Sequence, residues 1–262
     1  MLVLLSSKER IKVFKLNRQI VQTGDLAKRT EKLVSQTTVY KNPLTLAQEK
    51  YEGKGRIHFL SEDTVTETLS LVNDGYSVCV LSPADPMFTG GLVEVGGTGQ
   101  EEVFCQCSNL YESLISDVCQ KDFYAYHIWS KDNVKFSDRV IYSKGVSIFR
   151  KSTDFEVLAK TGVCDVLSCT PPSSSLNNEE YIQTLYRRFC GIINVLQANG
   201  IRILVLGAWS TENYKGDTTL IGRIFAMSLK LYNCFDDIYI CIENKDVLSK
   251  FKTGISAVIP IK

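Results

Sequence analysis

The chain has 262 residues, 44% of them hydrophobic and 23% charged, enough for the core of one large or two small domains. Thirty Lys and Arg stand against twenty-nine Asp and Glu, and the net charge of +1 gives no bulk electrostatic ground for a nucleic-acid or anionic-membrane partner. Leu2 to Leu5 is too short for a leader's apolar region, and no stretch approaches the roughly 20 apolar residues of a membrane span.

Residues 8–34 are charged, with Ile11, Phe14, Ile20, Leu26 and Leu33 at loosely helical intervals broken by Gly24-Asp25, so one or two short helices are predicted. Thr37 to Gly55, with Asn42-Pro43 and Gly53-Lys54-Gly55, reads as a surface connection. From Arg56 onward, short β-branched or apolar runs alternate with helical patterns. The runs are Ile57–Phe59, Val78–Leu81, Val140–Tyr142, Ser147–Phe149, Val166–Cys169, Ile203–Leu206 and Ile238–Ile242. Helices are predicted over Asp63–Asn73, Glu101–Ser116, Asn178–Asn199 and Thr218–Tyr232. This alternation predicts an α/β fold, helices covering a parallel or mixed sheet, with ligands at the carboxyl ends of its strands. Ile203-Leu204-Val205-Leu206 shows no polar alternation, as befits a central strand buried on both faces.

The nine cysteines form no paired C-x-x-C, which predicts reduced thiols in an intracellular, non-secreted protein of the cytoplasm or nucleus, with no metal site. Chemistry concentrates after the run Val78–Leu81. Gly90, Gly91, Gly96, Gly97 and Gly99 precede Gln100-Glu101-Glu102 at a helix start. Glycines let backbone N–H groups approach a ligand, and a helix N-terminus favours anions, which together build a phosphate cradle. Neither G-K-[ST] nor a strand-linked G-x-G-x-x-G is present, so kinase-like and dinucleotide-dehydrogenase readings lose ground. Acids in a first turn are commonly dipole partners. Beside a glycine cradle, a partly desolvated carboxyl can instead hold its proton and act as a general acid.

These segments resemble the bacterial-type poly(ADP-ribose) glycohydrolases of the macrodomain superfamily, whose signature is a glycine triplet, about seven residues, then Gln-Glu-Glu. Here Gly90-Gly91-Leu92 and seven residues precede Gln100-Glu101-Glu102. Further blocks keep the same order: Glu62 to Leu69, Cys107-Ser108-Asn109-Leu110-Tyr111, Ile141 to Arg150, Thr170-Pro171-Pro172 and Leu204-Val205-Leu206-Gly207-Ala208-Trp209. The resemblance covers roughly residues 57 to 232. It implies a three-layer α/β/α macrodomain-like sandwich over residues 56–262, with residues 1–55 as an N-terminal helical extension packed on it. It further implies hydrolysis of ribose–ribose O-glycosidic bonds of poly(ADP-ribose) on modified protein, without a cofactor, by a monomer with no direct nucleic-acid binding.

By the same resemblance, Glu102 is the general acid and base and Glu101 positions ribose hydroxyls. Gly90, Gly91, Gln100, Gly207, Ala208, Trp209 and Tyr214 hold the substrate. The chain departs from the family pattern at several places. Phe88-Thr89 replaces Asn-Pro, Leu92 replaces the third glycine or, in an alternative register, Thr89-Gly90-Gly91 is the triplet, and Glu212 enters the second phosphate loop beside Tyr214. Two other readings stay open: an inactive ADP-ribose-binding or scaffolding relative, and a cysteine-nucleophile hydrolase using Cys105, with neither His58 nor His127 at an evident pairing spacing.

Overall fold

The computed structural model describes residues 5–46, 52–130, 136–173, 175–210, 216–232 and 234–260. Two N-terminal helices, α1 (Ser7–Ile20) and α2 (Gly24–Gln36), lead into β1 (Thr38–Tyr40) and a 3₁₀ turn. Then follow β2 (Arg56–Leu60), α3 (Thr64–Asn73), β3 (Val78–Pro83), a second 3₁₀ turn, α4 (Gln100–Cys107) and α5 (Leu110–Leu114). A short helix α6 (Asp117–Cys119) continues through a π-helical segment into α7 (Ala125–Trp129), ahead of the hairpin β4 (Val140–Arg150) and β5 (Val157–Cys169). The chain ends with α8 (Asn178–Ala198), β6 (Ile203–Leu206), α9 (Thr218–Tyr232), β7 (Asp237–Cys241) and α10 (Lys245–Ser256).

The strands form one seven-stranded mixed sheet in the order β1-β4-β5-β3-β6-β7-β2. Strands β5, β3, β6, β7 and β2 run parallel, so their carboxyl ends lie along one edge. Period-two alternation divides each central strand between two cores. Cys79, Leu81, Leu204, Leu206, Ile238 and Ile240 face α8, α9 and α10, whereas Val78, Val80, Ile203 and Val205 pack with Phe14, Leu33, Phe104 and Leu110 from the N-terminal and central helices. A sheet buried on both faces this way is the middle of an α/β/α sandwich.

Three expectations are corrected. The supposed surface connection Thr37–Gly55 supplies β1, which pairs antiparallel with β4; residues 47–51 of that stretch lie outside the described residues. Val140–Tyr142 and Ser147–Phe149 are one strand, interrupted only by a register shift where Gly145 adopts φ +83° and donates to Asp165. The helix expected over Glu101–Ser116 breaks at Ser108, whose extended backbone bridges to Ile148 while Asn109 N–H donates to the Ser147 carbonyl. The helical run from Asp117 to Trp129 and the helix α10 had no prediction.

The two N-terminal helices are tied into the body. Ser6 and Glu9 form a capping box at the start of α1. Inside, Arg10 Nη1 donates to Gln106 Oε1 at 3.0 Å and Asn17 Nδ2 to the Gln106 carbonyl at 2.6 Å. Arg150 Nε donates to Asn17 Oδ1 at 2.6 Å, and Gln106 Nε2 reaches the Gly97 carbonyl at 3.0 Å. One buried polar chain thus joins α1, α4, the glycine-rich loop and β4. Asn17→Ala leaves the buried Arg150 Nε without this acceptor and should lower stability by about 2–3 kcal/mol, read as a reduced denaturant midpoint at unchanged slope.

Candidate active site

The site begins where β3 ends. Asp85 follows in a turn that its own side chain organises, Oδ1 accepting from Met87 N at 2.8 Å and Phe88 N at 2.7 Å. The Asp85 N–H donates to Glu101 Oε2 at 2.9 Å. Gly90 and Gly91 then adopt φ +68° and +61°, a region closed to most side chains. This bend delivers the Leu92 N–H to Glu102 Oε1 at 3.0 Å.

Close approach enforces the glycines as much as the dihedrals do. A Cβ on Gly91 would lie 2.5 Å from Glu102 Oε1, and one on Gly97 would lie 2.8 Å from Glu102 Cγ. Position 92 has no such need. Leu92 has φ −94° and a side chain 52% exposed, so replacing the family's third glycine there neither strains the backbone nor seals the loop.

Both acids open α4, yet neither is a solvated helix-start charge: Glu101 is 4% exposed and Glu102 8%. Burial pushes the Glu101 carboxyl well above the usual carboxylate range, against the lowering effect of the Asp85 N–H, and the neighbouring Glu102 and Asp85 charges add to the rise. Its Oε1 is buried and has no hydrogen-bond partner within the protein. An unpartnered acid oxygen in a cavity wall is a position that a ligand hydroxyl can complete.

Two hollows meet at this point. The larger, about 400 Å³, is lined by both acids with Asp85, Phe88, His127 and Phe136 among others. The smaller, about 160 Å³, lies at the strand carboxyl ends between Glu62, Asp63, Gly207, Ala208, Glu243 and Asn244. They share Pro83, Gly99 and Gln100. Gln100 is the divider: its Nε2 donates to the Leu81 carbonyl at 2.9 Å, and a Cβ on Gly207 would sit 2.3 Å from its Oε1. Gly207 is therefore the residue that lets α4 begin directly beside the end of β6.

Six of the nine predicted residues, Gln100, Glu101, Glu102, Gly207, Gly90 and Gly91, are brought together here, and Ala208 lines the smaller hollow. Trp209 is corrected as a substrate-contacting side chain. Its indole is fully buried, packed on Phe189 with Nε1 donating to the Cys169 carbonyl, because a large apolar ring after a central strand gains more from the core. Tyr214 and Glu212 lie outside the described residues.

The cysteine reading fails on burial. Cys105 is buried and its thiol is pushed well above the ordinary range, by desolvation first and then by Glu101 and Glu102, so little thiolate is available. Both imidazoles are engaged elsewhere, His58 with Asp237 and stacked on Tyr239, His127 between the Phe123 carbonyl and Ser137. Among the described residues, no group of three or more His, Cys, Asp or Glu is placed to hold a metal ion.

The sequence reading missed Asp85, Phe136 and the wall role of His127. Asp85-Pro86 carried a turn signal, whereas nothing local marks the other two. His127 Nδ1–H donates to the Phe123 carbonyl at 2.9 Å while Nε2 accepts from Ser137 N at 3.2 Å. Burial lowers its pKa to about 4, so this wall is uncharged at neutral pH.

Residues 8–151 match the family described as "Microbial-type PARG, catalytic domain". The chain belongs to the microbial-type PARG catalytic-domain family. The matched segment contains the glycine bends and both acids. Among solved structures, the poly(ADP-ribose) glycohydrolase of Thermomonospora curvata aligns at 23% identity and TM-score 0.84, over 96% of this chain and 100% of that one. The same enzyme bound to the inhibitor ADP-HPD aligns at 23% identity and TM-score 0.81, over 94% and 98%. The poly(ADP-ribose) glycohydrolase of Deinococcus radiodurans in complex with ADP-ribose aligns at 20% identity and TM-score 0.77, over 87% and 97%. At these identities the likeness is one of fold. A search of curated proteins finds no match. Among the described residues, no helix is long and apolar enough to cross a membrane.

The raised Glu101 pKa has a consequence for stability. Above the unfolded carboxylate's pKa, near 4.5, the folded chain keeps a proton that the unfolded chain has lost, so this group's contribution falls as pH rises toward the folded value. Glu101→Gln keeps an acceptor for Asp85 N–H and removes the titration. The variant should gain on wild type by up to about 1.4 kcal/mol per pH unit above pH ~4.5. Urea unfolding across pH 4 to 8 reads it, and parallel pH profiles would refute the buried-acid account.

Proposed function

We propose that this protein is a poly(ADP-ribose) glycohydrolase, hydrolysing the ribose–ribose O-glycosidic bond to release ADP-ribose. The observation that carries the reading is the buried acid pair on α4, with Glu102 fixed to the Leu92 N–H at the Gly90-Gly91 bend, inside the segment that matches the family. A carboxyl so restrained is preorganised for proton transfer to a glycosidic oxygen.

In this mechanism Glu102 gives its proton to the leaving ribose oxygen as the C1–O bond breaks. The resulting carboxylate then takes a proton from the water that adds to the oxocarbenium-like carbon. Glu101, held neutral by burial, uses its unpartnered Oε1 to orient a ribose hydroxyl. The nucleoside end occupies the smaller hollow, walled by Glu62, Asp63, Glu243 and Asn244, of which Asp63 and Asn244 also cap α3 and α10. The diphosphate crosses between the two hollows at Gly99, past the Gln100 side chain that divides them, with Gly207 and Ala208 on the side of the smaller hollow. The reacting bond then lies in the larger hollow.

Glu102→Gln should lower ADP-ribose release from poly(ADP-ribosyl)ated protein by about 10³-fold with the melting curve retained. If wild type releases nothing but is thermally stabilised by ADP-ribose, the binding-module reading replaces the enzyme. Gly91→Ala tests the fixation separately. Its Cβ would meet Glu102 Oε1 at 2.5 Å, and a shift of that carboxyl by about 1 Å should reduce turnover by about 10²-fold. Unchanged turnover in this variant would remove the glycine bend from the mechanism.

A further inference from the structure

We propose that the outer face of α7, where Tyr126 and Trp129 stand among Lys41, Lys121 and Arg139, binds the next units of a poly(ADP-ribose) chain whose reacting bond lies at Glu102. This rests on the glycohydrolase reading and extends it from the reacting linkage to the polymer.

Helix α7 carries two functions on adjoining faces. His127 is buried against the hollow that holds the acid pair, whereas Tyr126 and Trp129, three residues apart, share an outward face. Trp129 is 83% exposed and Tyr126 44%, an unusual placement for rings of this size. Beside them lies an open hollow of about 410 Å³, lined by Lys41, Lys121, Asp122, Tyr126, Trp129 and Arg139 among others. The Arg139 guanidinium sits 3.6 Å from the Tyr126 ring centroid, and Lys41 pairs with Asp122 at 2.9 Å. Three cations against one carboxylate leave this surface positive although the chain as a whole is nearly neutral.

Exposed rings interleaved with cations are how proteins hold single-stranded nucleotide polymers: bases stack on the rings and the backbone charge is met by Lys and Arg. Each poly(ADP-ribose) unit offers both an adenine face and a diphosphate. Continuity with the acid pair supplies the choice of polymer. Neighbouring residues of α7 line the two surfaces, His127 the larger hollow and Tyr126 and Trp129 the outer one. They also share one support, since Ser137 donates to His127 Nε2, Arg139 N–H donates to Ser137 Oγ at 3.2 Å, and Phe136 and Arg139 flank that residue. A chain leaving the larger hollow past His127 and Phe136 meets Tyr126 and Trp129 next.

The test uses the full chain carrying Glu102→Gln, so that polymer is bound without turnover, with long poly(ADP-ribose), free ADP-ribose and single-stranded RNA of matched length as probes. Trp129→Ala should weaken polymer binding about tenfold and leave ADP-ribose binding unchanged. Lys121→Ala should flatten the salt dependence of polymer binding by about one counterion. With Glu102 restored, Trp129→Ala should raise KM for long chains at unchanged kcat. Equal losses for polymer and ADP-ribose, or none for either, would overturn the proposal. So would RNA binding as tight as polymer binding, which would make the face a general nucleic-acid surface. If wild type releases no ADP-ribose yet Trp129→Ala still loses polymer selectively, the hydrolase reading falls and this surface stands.

Discussion

The hydrogen bond from Leu92 N–H to Glu102 Oε1 is the contact on which the site depends. It exists because Gly90 and Gly91 turn through positive φ and because Gly91 and Gly97 present no Cβ toward the acid. A carboxyl on an exposed first turn would sample several rotamers in water. Here it is held between a backbone donor and two glycines, so that its direction is set by the main chain and not by another flexible side chain. Glu101 is treated the same way by the Asp85 N–H, and the Asx turn of Asp85 fixes that donor in turn.

Such a loop, made of glycine and short turns, has little rigidity of its own. The support comes from α1 and α4. Gly96 packs against the Ser7 backbone, Gln106 holds the Gly97 carbonyl, and Arg10 and Asn17 hold Gln106. The N-terminal helices thereby act as scaffolding for the acids, and β1 closes the sheet edge beyond β4. Buried polar chains of this kind are costly when half satisfied, which makes the N-terminal segment and the site interdependent.

The departures from the family pattern acquire physical meaning in place. Leu92 is tolerated because the triplet's third position contributes only its N–H, in a dihedral open to any residue. Phe88 and Phe136, together with a neutral His127, give the larger hollow an aromatic wall beside its acids where the family carries an amide at position 88. The acids remain, and the change falls on the wall beside them.

The alternating β-branched and apolar runs determined the α/β class, six of the seven strands in outline, and the central, doubly buried place of Ile203–Leu206, since period and burial are written locally. The spacing from Gly90 to Glu102 likewise placed the acids and the glycine bends on one loop and helix start. Tertiary structure alone decided that Trp209 belongs to the core, that β1 joins the sheet, that α4 ends at Ser108, and that Asp85, His127 and Phe136 wall the site. Each of these turns on a partner distant in the chain or on a backbone group of no fixed residue type: the Cys169 carbonyl for Trp209, β4 for β1 and Ser108, the Ser137 N–H for His127. Periodicity reports which face of an element is apolar, and only the packed chain reports what that face, or a bare N–H, meets.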